Sequence, residues 1–466
     1  MKVTGKNIHF IGVGGIGVSA LARLCKLSGA NVSGSDIRQS PVTDNLEKLG
    51  CQIFIGHDAQ NVADNTNLVV HTEDVNETSA GFVELKKAHD AGIETLKYSE
   101  ALGDFMKGFQ AIGVSGTNGK STTTAILGLI MEAAETDPMV VLGSKLSVKN
   151  ESDRFQANAR FGNGKIFVYE ADEYHRHMLD TKPFAAIITN IEEDHLDYYK
   201  NLDDIISAFT SYAASLPADG LLIYNLDDPN VAAVVTSAPC RTVSISMKDP
   251  HADYFVENVR TQGHSQLFNV MKAGQVIGEF KLNIPGEYNV MNALAAIAMA
   301  LELEVEPEVA QTALSNFAGI WRRFEVVGKF GNADVVSDYA HHPTAITGLI
   351  AAAKQFYPEE KILLVFQPHQ KNRTKMLFND FVKSLRGVDR VILPEIYFVP
   401  GREKEEDSDI SSLQLAEAVS KLGQPCDFTA DLEQAEKKVR EIGSDFDLII
   451  CAGAGTIDSL ARKLTS

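Results

Sequence analysis

The stretch Gly113-Val114-Ser115-Gly116-Thr117-Asn118-Gly119-Lys120-Ser121-Thr122-Thr123 decides how the rest of this chain is read. The run Gln110 to Ser115 predicts a strand, and from about Lys120 the pattern turns helical. A glycine loop between a strand and a helix suits a phosphate. Glycines let successive amides point inward, the helix N-terminus adds positive potential, and an ammonium at this place reaches the β- and γ-phosphates. Lys120 supplies the ammonium, and the Ser121 hydroxyl is placed to touch magnesium. The spacing GxxGTxGKS is a variant of the strict loop, because Val114 stands where that loop has its first glycine. Gly116, Thr117, Asn118, Gly119, Lys120, Ser121 and Thr122 are therefore the candidate triphosphate-binding residues.

Downstream, the apolar run Ile166 to Glu170 predicts a strand that ends in Glu170-Ala171-Asp172-Glu173. Acids at the carboxyl end of a parallel strand face the crevice where ligands sit. Magnesium favours oxygen ligands, which makes Glu170 the first metal candidate. A further strand, Ala185 to Asn190, runs into Ile191-Glu192-Glu193-Asp194-His195. On position alone His195 reads equally as a metal ligand or as a satisfied polar residue.

Upstream, Asn7 to Ile11 predicts a strand, followed by Gly12-Val13-Gly14-Gly15-Ile16-Gly17 and a helix through about Leu27. This GxGxxG turn places a diphosphate at a helix N-terminus. Asp36 lies at the end of the next strand, Asn31 to Ser35, where a ribose-binding acid would sit. Gly14, Gly15, Ile16, Gly17 and Asp36 are the candidates here. An NAD(P)-dependent oxidoreductase stays open on this turn alone, although no Cys/His or Tyr/Lys catalytic pair stands out in the block. A nucleotide-diphosphate substrate satisfies the same geometry.

Alternating strand and helix patterns over 466 residues predict an α/β protein of three domains. Residues 1–107 form a Rossmann-like N-terminal domain with further strands at Gln52 to Ile55 and Asn67 to His71. Residues 108–318 form a central P-loop ATPase-like domain, with a strand at Leu221 to Asn225, a β-rich stretch from Thr242 to Leu282 and a helix from Asn289 to Leu303. Residues 319–466 form a Rossmann-like C-terminal domain with strands at Val335 to Ser337, Lys361 to Phe366, Arg390 to Leu393 and Asp447 to Cys451. The boundary segment Asn316 to Phe324 carries the only tryptophan, Trp321. The acidic run Arg402 to Asp409 reads as a solvated loop.

The net charge of −19 disfavours a nucleic-acid partner. Five cysteines, all far apart, argue against a zinc site or a disulfide framework and fit a reducing compartment. No 18-residue apolar run and no signal-peptide pattern are present, so no membrane partner is expected and the cytoplasm is the expected location.

Taken together, the motifs resemble the Mur ligases of peptidoglycan synthesis. The resemblance rests on GVGGIGVSALA (12–22), GTNGKSTTTA (116–125), EADEYHRHML (170–179), TNIEEDHLDYY (189–199) and PGEYNVMNALAAIA (285–298). It continues through RRFE (322–325), SDYAHHPTAI (337–346), FQPHQKNRT (366–374) and AGAGTI (452–457). The resemblance implies a ligase that uses ATP and magnesium to activate a carboxylate as an acyl phosphate and couple it to an amine. The first domain would hold the uridine diphosphate part of UDP-N-acetylmuramate, and the central domain ATP. Ser121 and Glu170 would serve the first and second metal ions, with His195 joining the second. Asn292 resembles an adenine contact. Arg323 and Asp338 resemble groups that close over the nucleotide. His369 and Arg373 resemble holders of the amino acid's carboxylate, and His341 and His342 lie in the family's HHPT motif, with His342 assigned to the amino acid. Lys120, Glu170, His195, Arg323 and Asp338 would form the catalytic set.

Three positions depart from the family pattern: Tyr288 where His is usual, Gln370 where Arg is frequent, and Thr456 where Asp is usual. Tyr288 can still stack on adenine. No lysine lies between Lys200 and Lys248, so the carbamylated lysine of several sister enzymes has no counterpart. That suits the branch that adds L-alanine and equally the branch that re-attaches a preformed tripeptide. His175-Arg176-His177 resembles the alanine-adding branch. The expected partners are UDP-N-acetylmuramate and L-alanine, and the expected assembly is a monomer or weak homodimer. A nucleotide-gated binding protein without chemistry is the remaining alternative.

Overall fold

The computed structural model describes residues 2–147, 155–156, 158–196, 198–398 and 409–466. They form three sheets in chain order, each with helices between its strands. The first sheet is parallel throughout, in the order Gln52–Ile55, Asn31–Asp36, Asn7–Ile11, Leu68–His71, Glu94–Lys97. The chain moves outward from Asn7–Ile11 through two strands and returns on its other side at Leu68–His71. This reversal opens a crevice beyond the carboxyl end of Asn7–Ile11, the ligand position of such sheets. The turn from Gly12 occupies it, and the helix Ile16–Leu27 starts there, burying Val18, Leu21, Leu24 and Cys25. Spacings of three and four residues put these on one face.

The second sheet has eleven strands. At its middle, Gln110–Ser115 runs parallel between Ile166–Glu170 and Ala185–Ile188. These strands read as unbroken apolar runs because a parallel sheet is covered on both faces. Beyond Ala185–Ile188 lie Leu221–Asn225, Arg241–Ser246, Tyr254–Thr261, Gln266–Lys272 and Gln275–Leu282. Beyond Ile166–Glu170 lie Met139–Val141, Ala159–Arg160 and Phe155–Gln156. The loop after Gln110–Ser115 is therefore flanked by the ends of two parallel neighbours, one finishing at Glu170 and the other leading into Thr189.

The third sheet runs Glu325–Phe330, Ala333–Asp338, Leu448–Ala452, Ile362–Phe366, Arg390–Pro394, Cys426–Thr429. Its first strand pairs antiparallel and the rest are parallel. The two faces have separate cores: Leu364, Phe366, Ile450 and Phe381 on one, Leu363, Val365, Ile449 and Leu460 on the other.

By internal contacts the chain divides into two compact units. One comprises Met1–Val259, Leu267–Lys281 and Val290–Phe317, and the other Arg260–Gln266, Leu282–Asn289 and Ala318–Ser466. In the first unit a single apolar core continues from the first sheet into the second. Phe10, Leu21 and Phe105 belong to it together with Phe167, Tyr169, Phe209 and Tyr212. Phe105 and Phe167 meet edge to face, with centroids 6.1 Å apart. Burial of each such ring contributes about 1.5–3 kcal/mol, which fixes the glycine turn of the first sheet relative to the phosphate loop of the second.

The predicted strands are present within a residue or two at each end. The strand predicted over Ala185 to Asn190 is two residues shorter and stops at Ile188. Thr189 and Asn190 leave the ladder to bind the phosphate loop. Besides the two-residue strands Phe155–Gln156 and Ala159–Arg160, four strands carry no signal in the sequence: Glu94–Lys97, Met139–Val141, Glu325–Phe330 and Cys426–Thr429. Three of them are sheet edges with polar residues, and the fourth has three residues. Of the acidic run, residues 402–408 lie outside the described residues; Asp409 is exposed and pairs with Lys375 at 3.0 Å. No helix of the described residues is long and apolar enough to cross a membrane.

Candidate active site

The phosphate loop is held by the residues that leave the neighbouring strand. Thr117 N–H donates to Asn190 O at 2.9 Å and Asn118 N–H to Asn190 Oδ1 at 2.8 Å. The Asn190 amide returns a bond to Asn118 O at 2.9 Å, and Thr189 Oγ1 adds another at 2.6 Å. Gly116 takes φ +137°, and a Cβ there would stand 2.0 Å from Thr189 Oγ1. Gly119 caps the helix Lys120–Ala133 at φ +88°. A Cβ on Gly119 would stand 2.3 Å from Asn292 Oδ1, so Asn292 is an immediate neighbour of the loop. Only glycine takes both the left-handed backbone and the close approach. The first amides of the helix have no intrahelical acceptors, which leaves them to an anion.

Charge concentrates beside this loop. Lys120 Nζ donates to Glu173 at 2.9 and 2.7 Å and to Gly116 O at 2.6 Å. Ser121 Oγ donates to Glu170 Oε2 at 2.9 Å, and the other carboxylate oxygen accepts Gly143 N–H. Burial raises the pKa of Glu170 and outweighs the contacts with Gly143, Ser121 and Lys120 that lower it. His195, at φ +53°, lies 3.6 Å from Glu173 and 3.8 Å from Asp194, with its ring 4.4 Å from that of Tyr174. Sequence reasoning put His195 with Glu170; its ion-pair partners here are Glu173 and Asp194. Thr122 is buried in the first turn of the helix. Among the described residues no three His, Cys, Asp or Glu side chains form a metal cage by themselves. The Ser121–Glu170 pair nonetheless offers two hard oxygens, and magnesium completes its shell with water and substrate phosphates.

In the first sheet, Gly12 N–H and Val13 N–H both donate to Ser35 O, at 2.9 and 3.0 Å. Gly14 N–H donates to Asp36 Oδ2 at 2.9 Å, so Asp36 braces the turn directly. Gly15 is the cap of the helix that Ile16 and Gly17 open. Asn158 donates to Ile16 O and Ser19 Oγ, tying that helix start to the second sheet.

The second unit carries the remaining candidates. Asp338 Oδ2 accepts Phe324 N–H and Oδ1 accepts Ala340 N–H, both at 2.7 Å. Burial raises its pKa against the opposing charge of Arg323. Arg322 and Phe324 take positive φ, +56° and +46°, in the turn that Asp338 holds. Arg323 is exposed, its guanidinium 5.3 Å from the Tyr339 ring. Tyr288 is half exposed and packs against Gly286, which has φ +96°. His369 stacks on Tyr397 with centroids 5.5 Å apart and lies 6.2 Å from His341. Burial, and then the charges of Arg373, His369 and Arg323, push His341 down to about 4 despite its bond to Tyr339 O. His341, His369 and Arg373 therefore share one neighbourhood. His342 is exposed at the cap of the helix Pro343–Phe356.

Sequence reasoning missed Glu173, Gly143, Thr189 and Asn190. Thr189-Asn190 did carry a signal, as a polar pair that ends an apolar strand. Glu173 carried none beyond belonging to an acidic cluster.

Three family models match the chain in order: the Mur ligase family catalytic domain over residues 7–110, the Mur ligase middle domain over 114–300, and the Mur ligase glutamate ligase domain over 322–455. The UDP-N-acetylmuramate–L-alanine ligase of Clostridium acetobutylicum is 38% identical over 464 residues, covering 99% of this chain and 98% of that protein. The enzyme of the same name from Alkaliphilus metalliredigens is 37% identical over 461 residues, covering 98% and 97%. Among solved structures, the UDP-N-acetylmuramate-alanine ligase of Thermotoga maritima matches at TM-score 0.82 and 30% identity over 98% of each chain. A murein peptide ligase from Psychrobacter arcticus shares the fold at TM-score 0.70 and 24% identity, over 99% of this chain and 98% of its own. With this likeness running the whole length of the chain and through all three sheets, the chain belongs to the Mur ligase family.

Proposed function

We propose that the chain joins L-alanine to the carboxylate of UDP-N-acetylmuramate at the expense of ATP, a step of peptidoglycan synthesis. The observation that carries this reading is the group Lys120, Ser121 and Glu170 at the carboxyl end of Gln110–Ser115, in a chain similar along its full length to enzymes of that name. Residues 1–107 bind the uridine substrate through Gly14, Gly15, Ile16, Gly17 and Asp36. Residues 108–318 bind ATP through Gly116 to Thr122 and Asn292. Residues 319–466 bind the amino acid through His342, His369 and Arg373. Tyr288, Arg323 and Asp338 serve the nucleotide. The enzyme acts in the cytoplasm on small molecules, as a monomer or weak homodimer, without nucleic-acid or membrane partners.

A muramoyl carboxylate is a poor acyl donor because oxide is a hopeless leaving group. Its oxygen attacks the γ-phosphorus of ATP, the bond to the β-phosphate oxygen breaks, and ADP departs, leaving an acyl phosphate. Charge spreads over the phosphoryl oxygens in that transfer, and Lys120 with the helix amides stabilises it. Magnesium, held by Ser121, Glu170 and, in this reading, His195, would neutralise phosphate charge. The amine then attacks the acyl carbon, a tetrahedral oxyanion forms, and phosphate leaves as the nitrogen loses a proton.

The test is phosphate release from Mg-ATP and UDP-N-acetylmuramate with each amine in turn. Release that requires L-alanine supports the proposal. Release that requires the tripeptide moves the chain to the recycling branch, and NAD(P) reduction without ATP overturns the ligase reading.

A further inference from the structure

The last glycine of the first turn, Gly17, faces a side chain. A Cβ on Gly17 would stand 2.7 Å from Tyr98 Cζ and 2.9 Å from Tyr98 Oη. Tyr98 opens the helix Tyr98–Phe105, and both of its flanks are tied to the segment that follows Glu170. On one side Lys97 Nζ pairs with Glu73 at 2.9 Å, Glu73 lies 3.4 Å from His177 Nε2, and His177 Nδ1 lies 3.9 Å from Asp172. On the other side Ser99 Oγ donates to Asp180 at 2.6 Å. These ties set the phenol at the seam between the glycine turn and the carboxylates at the end of Ile166–Glu170.

The ring is half buried, and its hydroxyl has no hydrogen-bond partner among the described residues. Burial raises its pKa, and the charges of Glu170 and Asp172 raise it further. The group is therefore a neutral O–H donor throughout the physiological range. A substrate carboxylate arriving beside Glu170 and Asp172 meets like charge, and a neutral donor relieves this without adding a buried cation.

We propose that Tyr98 Oη binds the sugar-acid substrate by donating a hydrogen bond to its carboxylate, while Gly17 stays bare so that the ring can reach that place. This rests on UDP-N-acetylmuramate being the substrate. Gly17 then serves two ends, as part of the diphosphate turn and as the floor under a carboxylate-reading side chain.

Tyr98→Phe tests it, since the ring keeps its packing and only an oxygen without a protein partner is lost. Two probes are titrated onto wild type and variant: UDP-N-acetylmuramate, and UDP-N-acetylglucosamine, which has the same nucleotide and ring but no carboxylate. The expected result is about tenfold or greater loss for the first, no change for the second, an unchanged melting temperature, and a KM for ATP within twofold of wild type. Equal loss for both probes, or none for either, overturns the assignment of Tyr98. Wild-type protein that binds neither probe overturns the proposed function, and the inference falls with it.

Discussion

Lys120 Nζ stands 2.9 and 2.7 Å from the two carboxylate oxygens of Glu173, so the ammonium required by a triphosphate is already countered by an acid. Both side chains are nearly buried, 16% and 3% exposed. Burial alone would lower the pKa of Lys120 and raise that of Glu173. The charge that each gives the other reverses both: Lys120 lies above its ordinary value and Glu173 below. Under the proposed function, phosphate oxygens entering the loop would take Lys120 from Glu173, which keeps the His195 ring at 3.6 Å.

Lys120→Ala and Glu173→Gln separate the two roles of this pair. Lys120→Ala is expected to lower kcat by about 100-fold or more, since electrostatic clamps on a transferring group contribute at that scale. Glu173→Gln leaves an ammonium among carbonyls and is expected to cost about 3 kcal/mol of stability, as for a broken buried pair, with Mg-ATP restoring part of it. Wild-type stability from the pair is complete between the ordinary values of 4.5 and 10.5. It is lost in acid as Glu173 protonates through its lowered pKa, and in base as Lys120 deprotonates through its raised one. An unchanged urea midpoint for Glu173→Gln would mean the pair carries no stability.

Glu170→Gln keeps the bond from Ser121 and removes a charge. We predict a several-fold higher magnesium concentration for half-maximal turnover, with little change in the ATP requirement at saturating magnesium. The readout is a magnesium titration at fixed ATP. A curve that superimposes on wild type would remove Glu170 as a metal ligand.

What the sequence made legible was whatever a local pattern encodes. The strand before Gly116 and the helix from Lys120 follow from one apolar run and one glycine loop, and Glu170 follows from its place at a strand end. Asn190 acts on Asn118 across 72 residues of chain and Glu173 on Lys120 across 53, distances no periodicity spans. Tyr98 is not singled out by any motif in the sequence; only the fold sets it against Gly17. Asp36 shows the converse. Its position was read correctly from spacing, but its carboxylate engages the Gly14 amide, a contact that spacing does not encode. The edge strand Glu94–Lys97 went unread because its sheet neighbour covers only one side of it, so it lacks the apolar run of a central strand.

Away from the site, Glu302 accepts bonds from Tyr254 at 2.7 Å, Lys272 at 2.9 Å and Arg241 at 2.6 Å. Burial opposes its ionisation, but these partners bring its pKa down to about 2. Stability from this carboxylate is complete above about 4.5 and is lost as pH falls from there through about 2. Because Lys272 and Arg241 are largely exposed, solvent screening reduces the effect, and we expect Glu302→Gln to cost about 2 kcal/mol at pH 7. Urea unfolding at pH 7 and pH 3 is the check, with the difference between variant and wild type shrinking at the lower pH. A constant difference would exclude the carboxylate charge as its source.

Arg373 should act on two observables at once. As a holder of the amino acid's carboxylate, its loss in Arg373→Ala should raise the KM for L-alanine about tenfold or more, the worth of a charge-assisted bond, while the KM for ATP stays within twofold. Its charge also helps hold His341 at about 4. A histidine kept neutral by burial binds its proton more weakly folded than unfolded, so stability falls as pH drops from about 6.5 through about 4. Without Arg373 one of the cations opposing protonation is gone, and the His341 titration seen by NMR should move upward, narrowing that window. Burial, the larger cause, remains, so His341 should still titrate below 6.5. A KM for ATP that rises as much as that for L-alanine would remove Arg373 from the amino-acid site, whatever His341 does, because a residue that grips one substrate's carboxylate has no reason to weaken both.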